Sequence, residues 1–235
     1  MNSDGETLNS PTKDLEYLAD KFGTDKGSTR HRYTDLYQLI LEPYRNTRCN
    51  FLEMGLQGGW RNFGGEVAER PTDDCPSIRM WLSYLKKAQI YGLDVSDFSW
   101  FYDPRFTFYR CDMEERSQIA TAASILPQMD VIIDDASHAS HHQQDAFLEF
   151  FPRLKSGGVY IIEDLRRQPP QLEREGITKT GDLLYNYQIT REFLHSNTKT
   201  QRAFNKIKDL IATCFVFQVG YRKEMPHQIA VIQRR

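Results

Sequence analysis

The stretches DVIIDDASH (residues 130–138) and GGVYIIEDL (residues 157–165) decide the fold of this chain. Each contains a run of Val, Ile or Tyr without polar alternation, which is typical of a parallel strand in a sheet covered on both faces. Each run ends in an acidic pair, Asp134-Asp135 in the first stretch and Glu163-Asp164 in the second. Ligands of open α/β sheets bind in the crevice outside the carboxyl ends of the strands, so we expect these carboxylates to collect at a binding site.

Strands and helices alternate around these two runs. Strand patterns fall at residues 50–54, 89–94, 106–111, 131–135 and 158–163, with helical patterns at residues 78–86, 117–125 and 141–154 between them. Five such units predict the α/β class, with a Rossmann-like, doubly wound and mainly parallel sheet.

The two ends of the chain add to this sheet. Apolar residues at helical spacing predict two short helices within residues 13–48, which form an N-terminal helical cap. The polar residues 1–12 are expected to be a disordered tail, so the Rossmann-like domain spans residues 49–235. A long helical region at about residues 183–212 precedes CFVFQVGYR and HQIAVIQR, which predict an antiparallel C-terminal hairpin.

Composition limits the possible partners. The formal charge of −2 and the dispersed Lys and Arg residues offer no footprint for nucleic acid or an anionic membrane. The four cysteines are widely spaced, and the N-terminus is too polar for a signal peptide, so we expect a soluble protein in a reducing cytoplasm. The longest apolar runs are far shorter than the roughly 20 residues of a membrane-spanning helix.

An imidazole joins the carboxylates, because His138 follows Asp135 by three residues. Burying so much like charge would cost stability without a cation, so this set predicts a Mg²⁺ or Ca²⁺ site with a general base beside it. The alternative is that the acidic residues are solvated or cap the next helix. His138, His141 and His142 have the spacing of one helical face, and two of the three also fit simple packing.

Glycines follow the first strand in FLEMGLQGG (residues 51–59). They let the backbone turn sharply and approach a nucleotide-type ligand, although Gln57 stands where a second glycine is usual, so a purely structural turn stays open. Asp94 ends the second strand and is placed to bind two ribose hydroxyls, and Asp112 after the third strand could face an adenine or the same ribose. Both residues also fit a role as loop caps.

Taken together, these motifs resemble the class I S-adenosylmethionine methyltransferases. Within that class they resemble the metal-dependent sugar O-methyltransferases of macrolide biosynthesis, of the mycinamicin and tylosin type, and the cephalosporin hydroxylase-like group. The matching stretches cover about residues 17–165 and are LADKFGTDKGSTRHRYTDLY, FLEMGLQGG, SIRMWLSYLKKAQIYGLDVSD and DVIIDDASHASHHQQDAFLEFFPRLKSGGVYIIEDL.

The resemblance implies methyl transfer from S-adenosyl-L-methionine to a hydroxyl of a small natural product, such as a sugar or polyketide, with Mg²⁺ as second cofactor. It makes Asp135, Glu163 and Asp164 the metal ligands, with Asp135 and His138 catalytic and His138 the general base. The residues expected to bind the cofactor are Glu53, Met54, Gly55, Gln57, Gly58, Ser77, Asp94, Asp112 and Asp134. Those expected near the acceptor are Lys26, His31, Tyr33 and His142. Relatives often associate, so a homo-oligomer is possible.

The chain departs from these relatives at several points. Ala136 replaces the glycine of the usual DDGSH, residues 60–76 form an insertion, and the segment after residue 165 has little in common with relatives. The resemblance therefore does not extend to the identity of the acceptor. Two rival interpretations stay open: a methyltransferase-fold protein repurposed for binding or a non-methylating rearrangement, and an NAD(P)-dependent oxidoreductase. The latter leaves both acidic pairs without a role.

Overall fold

Seven strands form one sheet within the residues that the computed structural model describes, which are 15–56, 72–166, 168–219 and 227–235. In chain order they are β1 (Asn50–Met54), β2 (Gln89–Asp94), β3 (Phe106–Arg110), β4 (Val131–Asp134), β5 (Val159–Ile162), β6 (Ile211–Val219) and β7 (His227–Arg234). They lie side by side in the order β3-β2-β1-β4-β5-β7-β6. Strands β1 to β5 are parallel, and β7 pairs antiparallel with both β5 and β6.

Helices cover both faces of this sheet. They are α1 (Leu15–Phe22), α2 (Tyr33–Leu41), α3 (Pro76–Tyr84), α4 (Arg116–Ile125), α5 (Ser140–Phe150), α6 (Thr180–Thr190) and α7 (Thr198–Ile207), with short 3₁₀ turns at Glu42–Tyr44, Phe151–Arg153 and Lys208–Leu210. None of the helices in the described ranges is long and apolar enough to cross a membrane.

Two hydrophobic clusters occupy the two sides of the sheet. Phe51, Ile133 and Ile161 pack with α1, α2 and α3, whereas their chain neighbours Leu52 and Ile132 pack with α4 to α7. This separation follows from the pleat, because successive side chains of a strand point to opposite faces. We call the side packed against α1, α2 and α3 the cap side of the sheet.

Most of the predicted architecture is confirmed. The five parallel strands match their predicted ranges to within one residue at each end, and the antiparallel C-terminal hairpin is present. The two helices predicted near the N-terminus form as α1 and α2. The division into a cap at residues 13–48 and a domain at residues 49–235 stays a prediction. The predicted tail and most of the insertion lie outside the described residues.

The single long helical region predicted near residues 183–212 is wrong. Arg191 adopts a left-handed conformation with φ of 61° and ends α6. The side chain of Asn197 then accepts hydrogen bonds from the backbone N–H groups of Lys199 and Thr200, which begins α7. The last two residues of the predicted range already belong to β6.

Candidate active site

A buried lysine joins the carboxyl ends of three strands on the cap side. Lys26, in the loop between α1 and α2, places Nζ 2.5 Å from Asp135 Oδ2, 2.8 Å from Glu163 Oε1 and 3.6 Å from Glu53 Oε1. The pleat explains the meeting, since Glu53 lies two residues beyond Phe51 in β1 and Glu163 two beyond Ile161 in β5. The sequence predicted Lys26 beside the acceptor, and the structure places it in direct contact with three carboxylates.

Charge balance decides the ionisation of this lysine. Burial by itself would lower the pKa of Lys26, but the negative charges of Asp135, Glu163 and Glu53 raise that pKa well above its ordinary value. The side chain of Lys26 is only 1% exposed, so its ammonium group is a fixed internal counter-charge. It partly replaces the cation that the sequence indicated for this cluster.

The carboxylates in turn have raised pKa values. Burial and the charge of Asp135 raise the pKa of Glu163 well above its ordinary value, with Lys26 opposing the shift. Burial raises the pKa of Asp135, and Lys26 and His138 counteract it. Burial raises the pKa of Glu53 to about 7, against the charge of Lys26 and the hydrogen bond from Ser77. Because burial disfavours the ionised form of these carboxyl groups, a further cation would stabilise that form.

Two tyrosines of α2 reach the second acidic pair. The hydroxyl of Tyr33 donates to Asp164 Oδ1 at 2.6 Å, and the hydroxyl of Tyr37 donates to Glu163 Oε1. His31 stacks on Tyr33 with ring centroids 5.2 Å apart and has Nδ1 3.8 Å from Asp164 Oδ1. Tyr33 and Tyr37 are four residues apart and so share one face of the helix. That spacing was the available signal for Tyr37, to which the sequence analysis gave no site role.

Asp135, His138 and Asp164 form a second group at the same sheet edge. His138 Nδ1 lies 3.9 Å from Asp135 Oδ1, and His138 Nε2 lies 3.8 Å from Asp164 Oδ2. One ligand atom from each residue lies within 4.8 Å of the others, a spacing at which one metal ion can be shared. His138 Nδ1 is buried and has no hydrogen-bond partner among the described residues.

Two of these residues have unusual backbone conformations. His138 has φ of 61° and Asp164 has φ of 52°, in the left-handed region that is uncommon for residues other than Gly. For His138 this conformation costs roughly 1–2 kcal/mol, which the surrounding structure must supply. It also places His138 outside α5, which begins at Ser140. The prediction that His138, His141 and His142 share a helical face is therefore wrong.

The glycine turn after β1 packs directly against the segment that carries Asp135. Gly55 has φ of 84°, and a Cβ at this position would lie 2.2 Å from the carbonyl oxygen of Asp135. The Asp135 N–H donates to the Met54 carbonyl at 2.9 Å, which holds the two chain segments together. Glycine is thus required here for the approach of protein backbone to protein backbone.

The other residues predicted to bind a nucleotide-type cofactor surround this turn or lie beyond it. Asp94 accepts hydrogen bonds from the Leu56 N–H at 2.7 Å and the Ser96 N–H at 2.8 Å. Ser77 donates to Glu53 Oε2 at 2.6 Å. A small cleft opens here, lined by Thr24, Asp25, Lys26, Gly55, Leu56, Pro76, Ser77 and Asp135. Gln57 and Gly58 lie outside the described residues.

Four predicted residues make other contacts. Asp134 lies on the far side of the pleat from Asp135, where the Tyr160 hydroxyl is 3.3 Å from Oδ2 and burial raises the Asp134 pKa to about 6. Asp112 Oδ1 accepts a hydrogen bond from the Glu114 N–H at 2.9 Å. Met54 is fully buried in the hydrophobic cluster opposite the cap side. His142 contacts Ser137 and Glu114 and none of the carboxylates bound by Lys26.

No family model matches the chain, but individual proteins do. Over 152 residues it is 34% identical to 8-demethyl-8-alpha-L-rhamnosyl tetracenomycin-C 2'-O-methyltransferase of Streptomyces olivaceus, an alignment covering 65% of this chain and 38% of the relative. Over 154 residues it is 32% identical to mycinamicin VI 2''-O-methyltransferase of Micromonospora griseorubida, covering 65% of this chain and 36% of the relative. The aligned stretch spans little more than a third of the length of these curated relatives.

Solved structures agree with the sequence comparison. The methyltransferase MycE of the mycinamycin biosynthetic pathway, in complex with Mg and SAH, superposes with a TM-score of 0.71 at 26% identity, covering 94% of this chain and 54% of MycE. A complex of the same protein with Mg, SAH and mycinamycin VI gives a TM-score of 0.67. The resemblance and the fold class predicted from the sequence are confirmed.

Proposed function

We propose that this chain, a homologue of macrolide sugar O-methyltransferases with the class I methyltransferase fold, transfers a methyl group from S-adenosyl-L-methionine to a hydroxyl of a small natural product. The observation that carries the proposal is the meeting of Asp135, His138 and Asp164 at the strand ends, next to the Gly55 turn. The relatives named above are O-methyltransferases, and the MycE structures contain Mg and SAH. Because the chain spans only part of each relative, their activity is extended to it as a proposal.

The donor set fits a hard divalent cation. Asp135 and Asp164 offer carboxylate oxygens, the ligands that Mg²⁺ prefers. Glu163 is the third proposed ligand, although its Oε1 is also the acceptor for Lys26 and Tyr37. His138 is the proposed general base, with a ring nitrogen 3.8–3.9 Å from each of the two aspartates.

The surroundings of Glu53 fit the amino acid portion of the cofactor. Glu53 is fully buried, and among the described residues its Oε1 accepts no hydrogen bond within 3.5 Å, with the ammonium group of Lys26 3.6 Å away. A buried acceptor of this kind is costly unless a donor is supplied, and the ammonium group of a methionine moiety is such a donor. Asp94 holds the backbone of Leu56 and Ser96, which would keep the loops after β1 and β2 open around the nucleoside. The remaining proposed contacts are Gly55, Gln57, Gly58, Ser77 and Asp112, whereas the side chains of Met54 and Asp134 are buried on the opposite face of the sheet and are left out.

When bound, the sulfonium cofactor supplies an electrophilic methyl group and the divalent ion lowers the pKa of the acceptor hydroxyl. His138 takes the proton of that hydroxyl, while Asp135 and Asp164 would hold the ion beside which the hydroxyl oxygen is placed. Holding the oxygen in line with the methyl group can account for roughly 7–11 kcal/mol of the barrier. A sugar carrying neighbouring hydroxyls suits this arrangement, and we propose such an acceptor.

The four cysteines are unpaired and buried, which supports the proposed cytoplasmic location.

Substitution of the proposed base separates catalysis from binding. His138→Ala is expected to lower the transfer rate by about 10²- to 10⁴-fold, the usual contribution of a general base, while cofactor binding is retained. The assay follows the gain of one methylene unit by mass spectrometry on a panel of glycosylated macrolides and polyketides. His195→Ala, on the connection between α6 and α7, is the matched control. Full activity of His138→Ala would contradict the assignment.

Cofactor identity is tested independently of the acceptor. A ligand present at 100 times its dissociation constant stabilises a protein by about 2.7 kcal/mol, so S-adenosylmethionine should raise the melting temperature. Stabilisation by NAD(P) instead would favour the oxidoreductase interpretation. Stabilisation by S-adenosylmethionine without turnover of any acceptor would favour a repurposed binding protein.

A further inference from the structure

A second cluster of metal-binding side chains lies beside α5. Glu114 is in the loop between β3 and α4, and His141 and His142 are in the first turn of α5. Glu114 Oε2 lies 3.4 Å from His141 Nε2 and 2.7 Å from His142 Nε2. All three ligand atoms lie within 4.8 Å of one another. None of these residues takes part in the methyl transfer proposed above.

Neighbouring side chains hold His142 and Glu114 in this orientation. Ser137 Oγ is 2.5 Å from His142 Nδ1, so the other ring nitrogen of His142 is directed at Glu114. Arg174 binds Glu114 Oε1 at 3.2 Å, which leaves Oε2 facing the two imidazoles. A hydrogen bond to the second ring nitrogen is the usual support of a metal-ligating histidine.

Burial gives the cluster one open side. His141 and His142 are each 5% exposed, whereas the Glu114 side chain is 52% exposed. The Nδ1 atom of His141 is buried and has no hydrogen-bond partner among the described residues. The two imidazoles are therefore buried while solvent reaches the carboxylate, as in a zinc site that keeps a position for water.

We propose that Glu114, His141 and His142 bind a divalent transition-metal ion of the Zn²⁺ type, with water as a further ligand. Zinc lies about 2.0–2.2 Å from nitrogen and oxygen ligands, so tetrahedral ligands are about 3.3 Å apart. The distance from Glu114 Oε2 to His141 Nε2 is already close to this value. The distance from Glu114 Oε2 to His142 Nε2 needs to increase by about 0.6 Å, which a small side-chain rotation allows. Imidazole ligands favour Zn²⁺ over Mg²⁺, which distinguishes this site from the oxygen-rich site at Asp135 and Asp164.

Such an ion would connect two segments of the chain. It would hold the loop after β3 against the start of α5 and, through Ser137, support the turn that contains His138. The positive charge of Arg174 opposes a cation, so we expect the affinity to be lower than that of a closed structural zinc site. The ion would act as a clamp on the segment that carries the proposed base, without contact with the reacting groups.

Cobalt is a suitable probe because tetrahedral Co²⁺ absorbs visible light. The purified chain is titrated with Co²⁺ in saturating Mg²⁺, and bound metal is counted by elemental analysis after dialysis. We expect one Co²⁺ per chain, competed by Zn²⁺. The absorption should be lost in Glu114→Gln and His141→Ala, and Ser137→Ala should weaken binding by about 10- to 100-fold. Glu115→Gln, next to Glu114 and exposed, is the matched control and should bind normally.

The variants also separate this site from the one at the strand ends. Asp164→Asn removes a proposed Mg²⁺ ligand and should leave the Co²⁺ absorption unchanged. Absence of bound Co²⁺ in the unmodified chain would overturn the proposal. Retention in both Glu114→Gln and His141→Ala would do the same, as would loss in Asp164→Asn. Because Glu114 lies in an exposed loop, its variant is expected to fold even where a buried histidine variant does not.

Discussion

Gly55→Ala provides a direct probe of the contact between the β1 turn and the segment carrying Asp135. The added Cβ would lie 2.2 Å from the carbonyl oxygen of Asp135, 2.6 Å from its carbonyl carbon and 2.7 Å from Ala136 Cα. All three are backbone atoms, so no side chain can rotate away to relieve the contact. One of the two chain segments must move.

The expected cost has two parts. A non-glycine residue at φ of 84° costs roughly 1–2 kcal/mol, and forcing extra volume into a packed site adds about 1–3 kcal/mol. Together they predict a loss of about 2–5 kcal/mol in the free energy of unfolding. Gly23→Ala is the matched control, because Gly23 has φ of 77° and nothing within 4 Å of its Cβ position. The control should lose only the roughly 1–2 kcal/mol that comes from the positive φ angle.

Urea unfolding measures the stability of both variants, provided that the slope of the free energy of unfolding against urea concentration is unchanged. Titration with Mg²⁺ measures the affinity of the site for the ion. Gly55→Ala should lose more stability than Gly23→Ala and should bind Mg²⁺ more weakly, because the displaced segment carries Asp135. The reasoning is refuted if the two variants lose equal stability, or if Gly55→Ala binds Mg²⁺ as tightly as the unmodified chain.

Other perturbations probe the buried charges and thiols. Lys26→Met should lower the free energy of unfolding at pH 7 by about 3–5 kcal/mol in urea titrations, because the buried Glu53 and Glu163 and the partly buried Asp135 lose their counter-charge. The exposed control Lys21→Met should change it by less than about 0.5 kcal/mol, and an equal effect of both would contradict the charge assignment. The folded pKa of Glu53, about 7, lies above its ordinary value of 4.5, so the native state binds the extra proton. As the pH rises from 4.5 to 7, this group should therefore lower the free energy of unfolding by up to about 1.4 kcal/mol per pH unit. A Glu53→Gln variant whose free energy of unfolding changes with pH in parallel with that of the unmodified chain would disprove this role of Glu53. Burial raises the pKa of all four thiols, so iodoacetamide at pH 8 should modify no cysteine of the native protein and all four in urea, as counted by mass spectrometry; rapid native alkylation would show that a thiol is accessible.

The strand ends were predictable because they depend on local patterns. Runs of β-branched residues fixed β4 and β5, and the acidic pairs that follow them had to lie at one sheet edge. The pleat also separates the first pair, since Asp134 and Asp135 point to opposite faces. That separation was available from the sequence, because the side-chain period of a strand is two.

The partners of these carboxylates were not predictable in the same way. Lys26 is 109 residues from Asp135 and 137 residues from Glu163, and no local pattern reports how a loop before the sheet packs onto it. The histidine prediction failed for a different reason. A spacing of three and four residues implies a shared face only inside a helix, and the left-handed backbone of His138 ends that relationship two residues before α5 begins.

The contacts of the loop and helix at residues 26–37 have a consequence for the folding pathway. Lys26, Tyr33 and Tyr37 bind Glu163 and Asp164, which are 126 to 137 residues further along the chain, so these contacts can form only after β5 has been synthesised. Contacts of such sequence separation are entropically costly to close and form late. The candidate site should thus form in a late folding step. A partly folded chain would contain the sheet with its acidic edge before Lys26 reaches that edge.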